Sequence, residues 1–551
     1  MHALVCLALV FAFSLPASAQ NFADTVLRNG RFLSLGSTIS DAMAIRDKRI
    51  QALGKLQDVE AFIGPRTKVI DLREHTVIPG LIDSHIHAIR AGLTEETEIS
   101  WAGVKSLAAA IELLVRAANA RPRGTWLIVA GGWTESQFTE KRRPNLQEIE
   151  KAIPHHYVYI QKSYTSVLIT SKGASQLGLH NQAGLASRLT ADIDKNGAPT
   201  GWLNGTARTI SDVYNLLPRP SLNQQVNGTK KFFKKLASYG ITSVVDPGGY
   251  NLPLEAYKPL FQIWKNGQLK LRVNFSISAP TRNAELTDFQ TILKNKNFTT
   301  PHDGMLTFNG IGENVTWGMY NNESPTALDQ AHLKEVLLWA AQQKLTATFH
   351  WNTNETVHML LDVIEAVNQI TPIASLRWSI AHLNNASVES LQRMQALHMG
   401  WLVQNASHFE HGRFLDKYGV QESLRIPPIS TAMKLGLHIG AGTDAHRVMP
   451  YNPFVSLQWF IDGKTVDGRD TRAPSELLSR MDALKLYTQG SAWFAHADKD
   501  RGDLQVGMLA DLAVLDKDFL TIPTQDINSI RSLLTMVGGE VVYSSGALGR
   551  K

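Results

Sequence analysis

The chain has 551 residues, 44% of them apolar and 19% charged. That composition excludes a disordered or fibrous chain, and the length is too great for one simple domain. A net charge of +6 (55 basic, 49 acidic) comes without any Lys/Arg stripe, which argues against nucleic acid and leaves a small molecule as the expected partner.

Residues 1–19 read as an export leader. Leu4 to Leu15 is apolar, Pro16 interrupts it, and Ala17-Ser18-Ala19 supplies small residues for cleavage. The apolar run is too short to span a membrane. The expected location is therefore exported, periplasmic or secreted, with a mature start near Gln20. Cys6, the only cysteine, lies in this leader. A mature chain would hold no thiol, so any metal must be bound by His, Asp and Glu.

Asp24 to Leu72 alternates short β-like runs with turns, and Asn29-Gly30 is a hairpin signal. Gly507 to Tyr543 has the same texture. The two ends are expected to pair into one composite β-sandwich, residues 20–76 and 500–551, around a central unit of 77–499.

The central unit opens with Val77 to His87, VIPGLIDSHIH. Its β-branched run predicts a buried strand. Residues two apart on a strand face one way, so His85 and His87 project together. Paired neutral imidazoles suit a transition metal such as zinc. Seven further strand-like runs follow: Gly240–Asp246, Leu271–Ser278, Leu306–Glu313, Ala347–His350, Arg377–His382, Gly400–Gln404 and Leu437–Asp444. Helical patterns lie between several of them, as at Leu333–Gln343 and His358–Gln369. Alternating strands and helices predict an α/β fold, a TIM-like (β/α)8 barrel. Residues 124–217 exceed one βα unit and read as an insertion after the first strand, over the barrel mouth.

Functional residues of such a barrel come from the C-terminal strand ends. The predicted ends carry His85 and His87 (first), Glu313 (fourth), His350 (fifth), His382 (sixth) and Asp444 (eighth). These residue types together predict a site for a divalent metal, zinc being the expected ion. Asp83, Thr443 and Arg377 are placed to orient the ligands, and His446 to reach the site. His408 and His411, beyond the seventh strand, are candidates for substrate contact. Trp101, Trp133, Trp202 and Trp351 suit either a partly apolar pocket or ordinary core.

The first-strand string resembles that of the metal-dependent amidohydrolase superfamily. Further matches point to its amidohydrolase 3 branch, the YtcJ-like proteins that include N-substituted formamide deformylases. They are GITSVVD at 240–246, DALKLYTQGSA at 482–492, GDLQVGMLADLAVLD at 502–516 and the turn Asn196 to Gly201. The resemblance covers nearly the whole mature chain. It implies hydrolysis of an amide-type C–N bond by metal-activated water, with Asp444 as general base and then acid. His382 or a nearby donor would help the metal hold the oxyanion. One or two ions remain open: His85, His87 and Asp444 hold the first, while His350 and His382 hold a second or His350 joins the first. The chain departs from the family where the fourth strand usually offers a carboxylated lysine. Here Glu313 takes that place. A family histidine in the insertion is absent, with Tyr164 near its position, and the usual His-x-x-Gly-Asp after the fifth strand reads His350-Trp351-Asn352-Thr353-Asn354. Two alternatives stand: a non-catalytic, metal-poor barrel binding a small molecule, and a deaminase or C–O hydrolase on the same scaffold. A homo-oligomer is left open.

Overall fold

A computed structural model describes residues 22–35, 40–249, 252–295, 298, 303–320 and 324–548. The leader at 1–19 lies outside the described residues.

Eight parallel strands form the central sheet: β1 (Leu81–Asp83), β2 (Ile241–Asp246), β3 (Arg272–Ile277), β4 (Leu306–Ile311), β5 (Thr346–Trp351), β6 (Ser379–His382), β7 (Gly400–Val403) and β8 (His438–Ala441). They pair in chain order from β1 to β8. Beyond the last pair, Ser84 N donates to Ala441 O at 3.1 Å and Asp444 N to His85 O at 2.8 Å. Those bonds bring the ends of β1 and β8 together and close the barrel. β2 and β3 are buried along their whole length, as strands covered on both faces must be. Outer helices such as Leu222–Ala237 and Ala327–Gln342 begin with capping boxes, Ser221 with Gln224 and Thr326 with Asp329. This is the α/β barrel expected from the strand and helix alternation.

The stretch Val77 to His87 is not one strand. Thr76–Pro79 pairs antiparallel with Leu512–Leu515, whereas Leu81–Asp83 pairs parallel with β2. Gly80 divides them, because a side chain there would meet Thr242 at 2.3 Å. The strand ends at Asp83, so His85 and His87 sit on the turn beyond it.

Arg31–Phe32, Thr76–Pro79, Leu512–Leu515, Ser532–Val537 and Glu540–Ser544 make a five-stranded sheet from both ends of the chain. A four-stranded sheet of Thr25–Arg28, Ala42–Arg46, Arg49–Gly54 and Lys68–Asp71 faces it. Leu27, Met43 and Ile45 of one sheet share a core with Val77, Leu512 and Met536 of the other.

Buried Arg272, on β3, joins this sandwich to the barrel. Its Nε and Nη2 donate to Asp511 at 2.7 and 2.9 Å. Asp511 belongs to the GMLAD run. Arg272→Met should cost about 3–5 kcal/mol, because it strands a buried carboxylate. Denaturant titration measures this, and a loss below about 1 kcal/mol, the value of an exposed pair, would contradict it.

Between β1 and β2 stands a further five-stranded sheet, Trp126–Val129, Tyr157–Lys162, Ser166–Ile169, Thr190–Ile193 and Pro199–Asn204. Its core also takes in Trp101 and helix Leu107–Asn119, which lie ahead of residue 124. Among the described residues, no helix is long and apolar enough to cross a membrane.

Candidate metal centre

The turn after β1, and the ends of β4, β6 and β8, converge on one point. His85 Nε2 lies 3.4 Å from Glu313 Oε2 and 3.6 Å from Asp444 Oδ1. His87 Nε2 lies 3.6 Å from Glu313 Oε1 and 3.3 Å from Asp444 Oδ1. All four residues are buried. These gaps are longer than ordinary N–H···O bonds. Donors around a tetrahedral zinc, with bonds near 2.1 Å, stand about 3.4 Å apart.

His85 Nδ1 and Nε2, Glu313 Oε2 and His350 Nδ1 are buried without a hydrogen-bond partner. Buried polar atoms left without partners are costly, and His85 Nε2 and Glu313 Oε2, 3.4 Å apart, would be satisfied by one shared cation. The donor set thus fits a divalent cation. Among the described residues two triads satisfy the spacing, His85–His87–Asp444 and His85–Glu313–His382, and they share His85. His350 is outside both. Its ring stacks on Tyr320 and lies 4.5 Å from the His382 ring.

Charge in the cluster points the same way. Burial opposes ionisation of Glu313, but the charge on His87 and the His382 and His85 imidazoles outweigh it and hold its carboxyl well below the usual range. Asp444 is also held low: burial opposes, and His87, His382 and His85 prevail. Burial would lower His87, yet Glu313 and Asp444 raise it to about 9. Two buried carboxylates therefore demand positive charge, and protons on the imidazoles supply it where a metal ion otherwise can. His350 feels the same two carboxylates, but here they are outweighed. Burial and His382 push it down to about 3, leaving it neutral.

The layer behind the ligands fixes their aim. His87 Nδ1 lies 3.0 Å from Gly248 O. Asp246 shapes that turn by accepting from Gly248 N at 2.9 Å and Ile89 N at 2.8 Å. His382 Nδ1 lies 2.8 Å from Gln404 Oε1. Both contacts make Nδ1 the donor and turn Nε2 inward. Asp83 accepts from Thr443 Oγ1 at 2.6 Å and from the His85 and Thr443 amides, tying the β1 turn to the β8 turn. His382 (φ 72°) and Asp444 (φ 51°) hold left-handed backbone, strain that persists where surrounding structure imposes it.

Several candidates lie elsewhere. Arg377 precedes β6, at the barrel end opposite the ligands, and donates to Asp498 and the Trp493 carbonyl at 2.6 Å each. His446 turns from the ligands toward Glu98, with Nε2 to Oε2 at 3.2 Å. His408 packs against the Lys464 carbonyl, and His411 lies 3.3 Å from Ser407. Trp101, Trp133 and Trp202 form the core of the insertion, and Trp351 lies in the barrel core.

A cavity of about 810 Å³ opens over the centre, and His87, Glu313, His350, His382 and Asp444 line its floor. Tyr164 of the insertion reaches its wall, and Arg90 Nη1 donates to the Tyr164 hydroxyl at 3.0 Å. The insertion grips the turn after β8. Gly132 N donates to Arg447 O at 2.9 Å, and a side chain on Gly131 would meet that oxygen at 2.1 Å. This close approach accounts for the Gly-Gly in WLIVAGGW.

Gln404, Asp246 and Arg447 were not singled out by sequence reasoning as site residues. A polar residue ending the apolar run GWLVQ is the signal that marks Gln404.

Comparison with known proteins agrees with this architecture. Arabidopsis thaliana Protein LONG AFTER FAR-RED 3 is 24% identical over 96% of this chain and 93% of its own length. N-substituted formamide deformylase from Arthrobacter pascens is 22% identical over 94% of this chain and 97% of its own. The crystal structure of an uncharacterized metal-dependent hydrolase from Pyrococcus furiosus superposes with a TM-score of 0.65 at 20% identity, covering 90% of this chain and all of that one. Finally, the sequence profile of the amidohydrolase family matches residues 68–543, most of the chain, and the protein belongs to that family.

Proposed function

We propose that this family member hydrolyses an amide-type C–N bond at a centre holding one divalent metal ion, zinc by its imidazole and carboxylate donors. The observation that carries the reading is the buried His85–His87–Glu313–Asp444 cluster, with its donor spacings and orphaned atoms. One ion is favoured because the two triads share His85, whose Nε2 has one lone pair. His85, His87 and Asp444 would hold it, with Glu313 closing the set and His382 beside it. Such an ion supplies Lewis acidity toward water and a carbonyl oxygen.

The chain's own groups do the rest. Asp444 presents Oδ1 to the histidines, which leaves Oδ2 to take a proton from the attacking water and deliver it to the leaving nitrogen. With its Nδ1–H committed to Gln404, His382 has only an Nε2 lone pair to offer. That makes it a ligand-type group and removes it as an oxyanion donor. Tyr164 suits that task better. Its oxygen accepts from Arg90, so its own hydrogen is free to donate to a carbonyl oxygen in the cavity.

The test starts from purified protein. Metal content should be close to one ion per chain, chelation should abolish turnover, and zinc should restore it. The substrate panel is N-substituted formamides, cyclic amides, aminopurines and esters. Turnover of esters or aminopurines with every amide untouched would overturn the C–N amide reading. Export belongs to the same proposal, on the strength of the apolar leader. Sequencing the mature protein should give a start near Gln20, and an N-terminus at Met1 would refute it.

A further inference from the structure

Arg447 lies three residues beyond Asp444 and lines the same cavity. It is 6% exposed. Among the described residues its guanidinium forms no hydrogen bond or ion pair, and its Nε is a buried orphan. Its one close partner is the face of Tyr214, 3.6 Å from the guanidinium carbon to the ring centroid. The nearest acid in the network, Glu98, feels the Arg447 charge but makes no bond to it: it accepts from the Tyr214 hydroxyl at 2.7 Å and faces His446. A buried guanidinium that no carboxylate touches is costly, and a ring face with the longer-range pull of Glu98 offsets only part of that cost. Arg447 is also fixed in place, because the insertion's Gly131-Gly132 backbone packs on its carbonyl.

Charge around the cavity is one-sided. Arg208, Arg219 and Arg282 line its outer part and are exposed. Apart from Glu313 and Asp444, the acids of the lining are Glu255 and Glu410, each paired with a cation, Lys258 and Arg413. An arginine rim steers anions inward, and a single buried guanidinium balances a single negative charge.

We infer that Arg447 receives a carboxylate on the substrate, at a point away from the scissile bond, so that the preferred substrates are monoanionic acids. A carboxylate matches the planar guanidinium fork through two parallel N–H···O bonds. The inference rests on the hydrolase reading for the word substrate, but the recognition itself does not require turnover.

The experiment therefore has a binding arm and a turnover arm, both on metal-loaded full-length protein. Calorimetry compares benzoate, phenylacetate and 3-phenylpropionate with their matched alcohols. At least one acid should bind roughly 10- to 100-fold more tightly than its alcohol. Arg447→Met should erase that preference and Arg447→Lys should keep part of it. If no acid is preferred in the wild type, a comparison that needs no variant, the proposal is wrong. A preference that survives Arg447→Met but disappears on chelation would place the carboxylate on the metal and would also overturn it. In the turnover arm, 4-(formamidomethyl)benzoate is compared with the corresponding benzyl alcohol. Arg447→Met should raise KM for the acid roughly 10- to 100-fold with little change in kcat. Equal hydrolysis of both compounds would sink Arg447 recognition and leave the hydrolase standing. Hydrolysis of neither, with the binding preference intact, would sink the hydrolase reading and leave Arg447.

Discussion

Asp444→Asn is expected to lower turnover by roughly 10²- to 10⁴-fold, the usual weight of a positioned proton-transfer group. The barrel should stay folded. An amide keeps the shape of the carboxylate, and the backbone bond from residue 444 to His85 O does not depend on the side chain. What disappears is an oxygen able to take and return a proton. A negative charge facing His85 and His87 at 3.6 and 3.3 Å disappears with it. Metal affinity should therefore fall as well, so assays need excess zinc to separate the two losses. With zinc saturating, the remaining deficit belongs to proton transfer. Near-wild-type turnover under that condition would remove Asp444 from the chemistry. Unfolding, seen as loss of the cooperative thermal transition, would instead assign it a structural role.

The donor residues were legible because barrel strands read as apolar runs, and a His, Glu or Asp closing such a run stands out. His85, His87, Glu313, His382 and Asp444 gather as that reasoning anticipates, although His85 and His87 do so on a turn and not on the face of a strand. The division at Gly80 was not legible. Thr76–Pro79 takes its partner from Leu512–Leu515, near the other end of the chain, and nothing local announces a pairing so distant. Arg377 misled because a charge near a strand says nothing about which end it occupies. Here it precedes β6 and serves the base of the barrel. The tryptophans, open between pocket and core in the sequence, fall in the core for a different reason. The insertion is large enough to need its own core, and Trp101, Trp133 and Trp202 fill it. Arg447 was unreadable because its meaning lies in a missing partner, which only three-dimensional neighbours reveal.

Glu313→Gln is expected to weaken metal binding by at least 10- to 100-fold, roughly the loss produced by removing even an outer-layer partner of a metal ligand. Glu313 is 4% exposed and presents Oε1 to His87 and Oε2 to His85 and His382. It is the carboxylate that this chain carries where the family resemblance implies a carboxylated lysine. Glutamine fills the same volume but brings no charge, and one of its two positions becomes an N–H₂ donor that cannot face a cation. His87, raised to about 9 chiefly by Glu313 against the opposing effect of burial, would lose its main counter-charge. It should therefore bind a proton less tightly in the metal-free variant. Two measurements check the argument. Competition with a zinc chelator gives the affinity, and elemental analysis gives the ion count for both proteins. Equal affinity in the two would exclude Glu313 as a ligand. Two ions in the wild type falling to one in the variant would show that Glu313 bridges a pair, and the single-ion centre would be wrong.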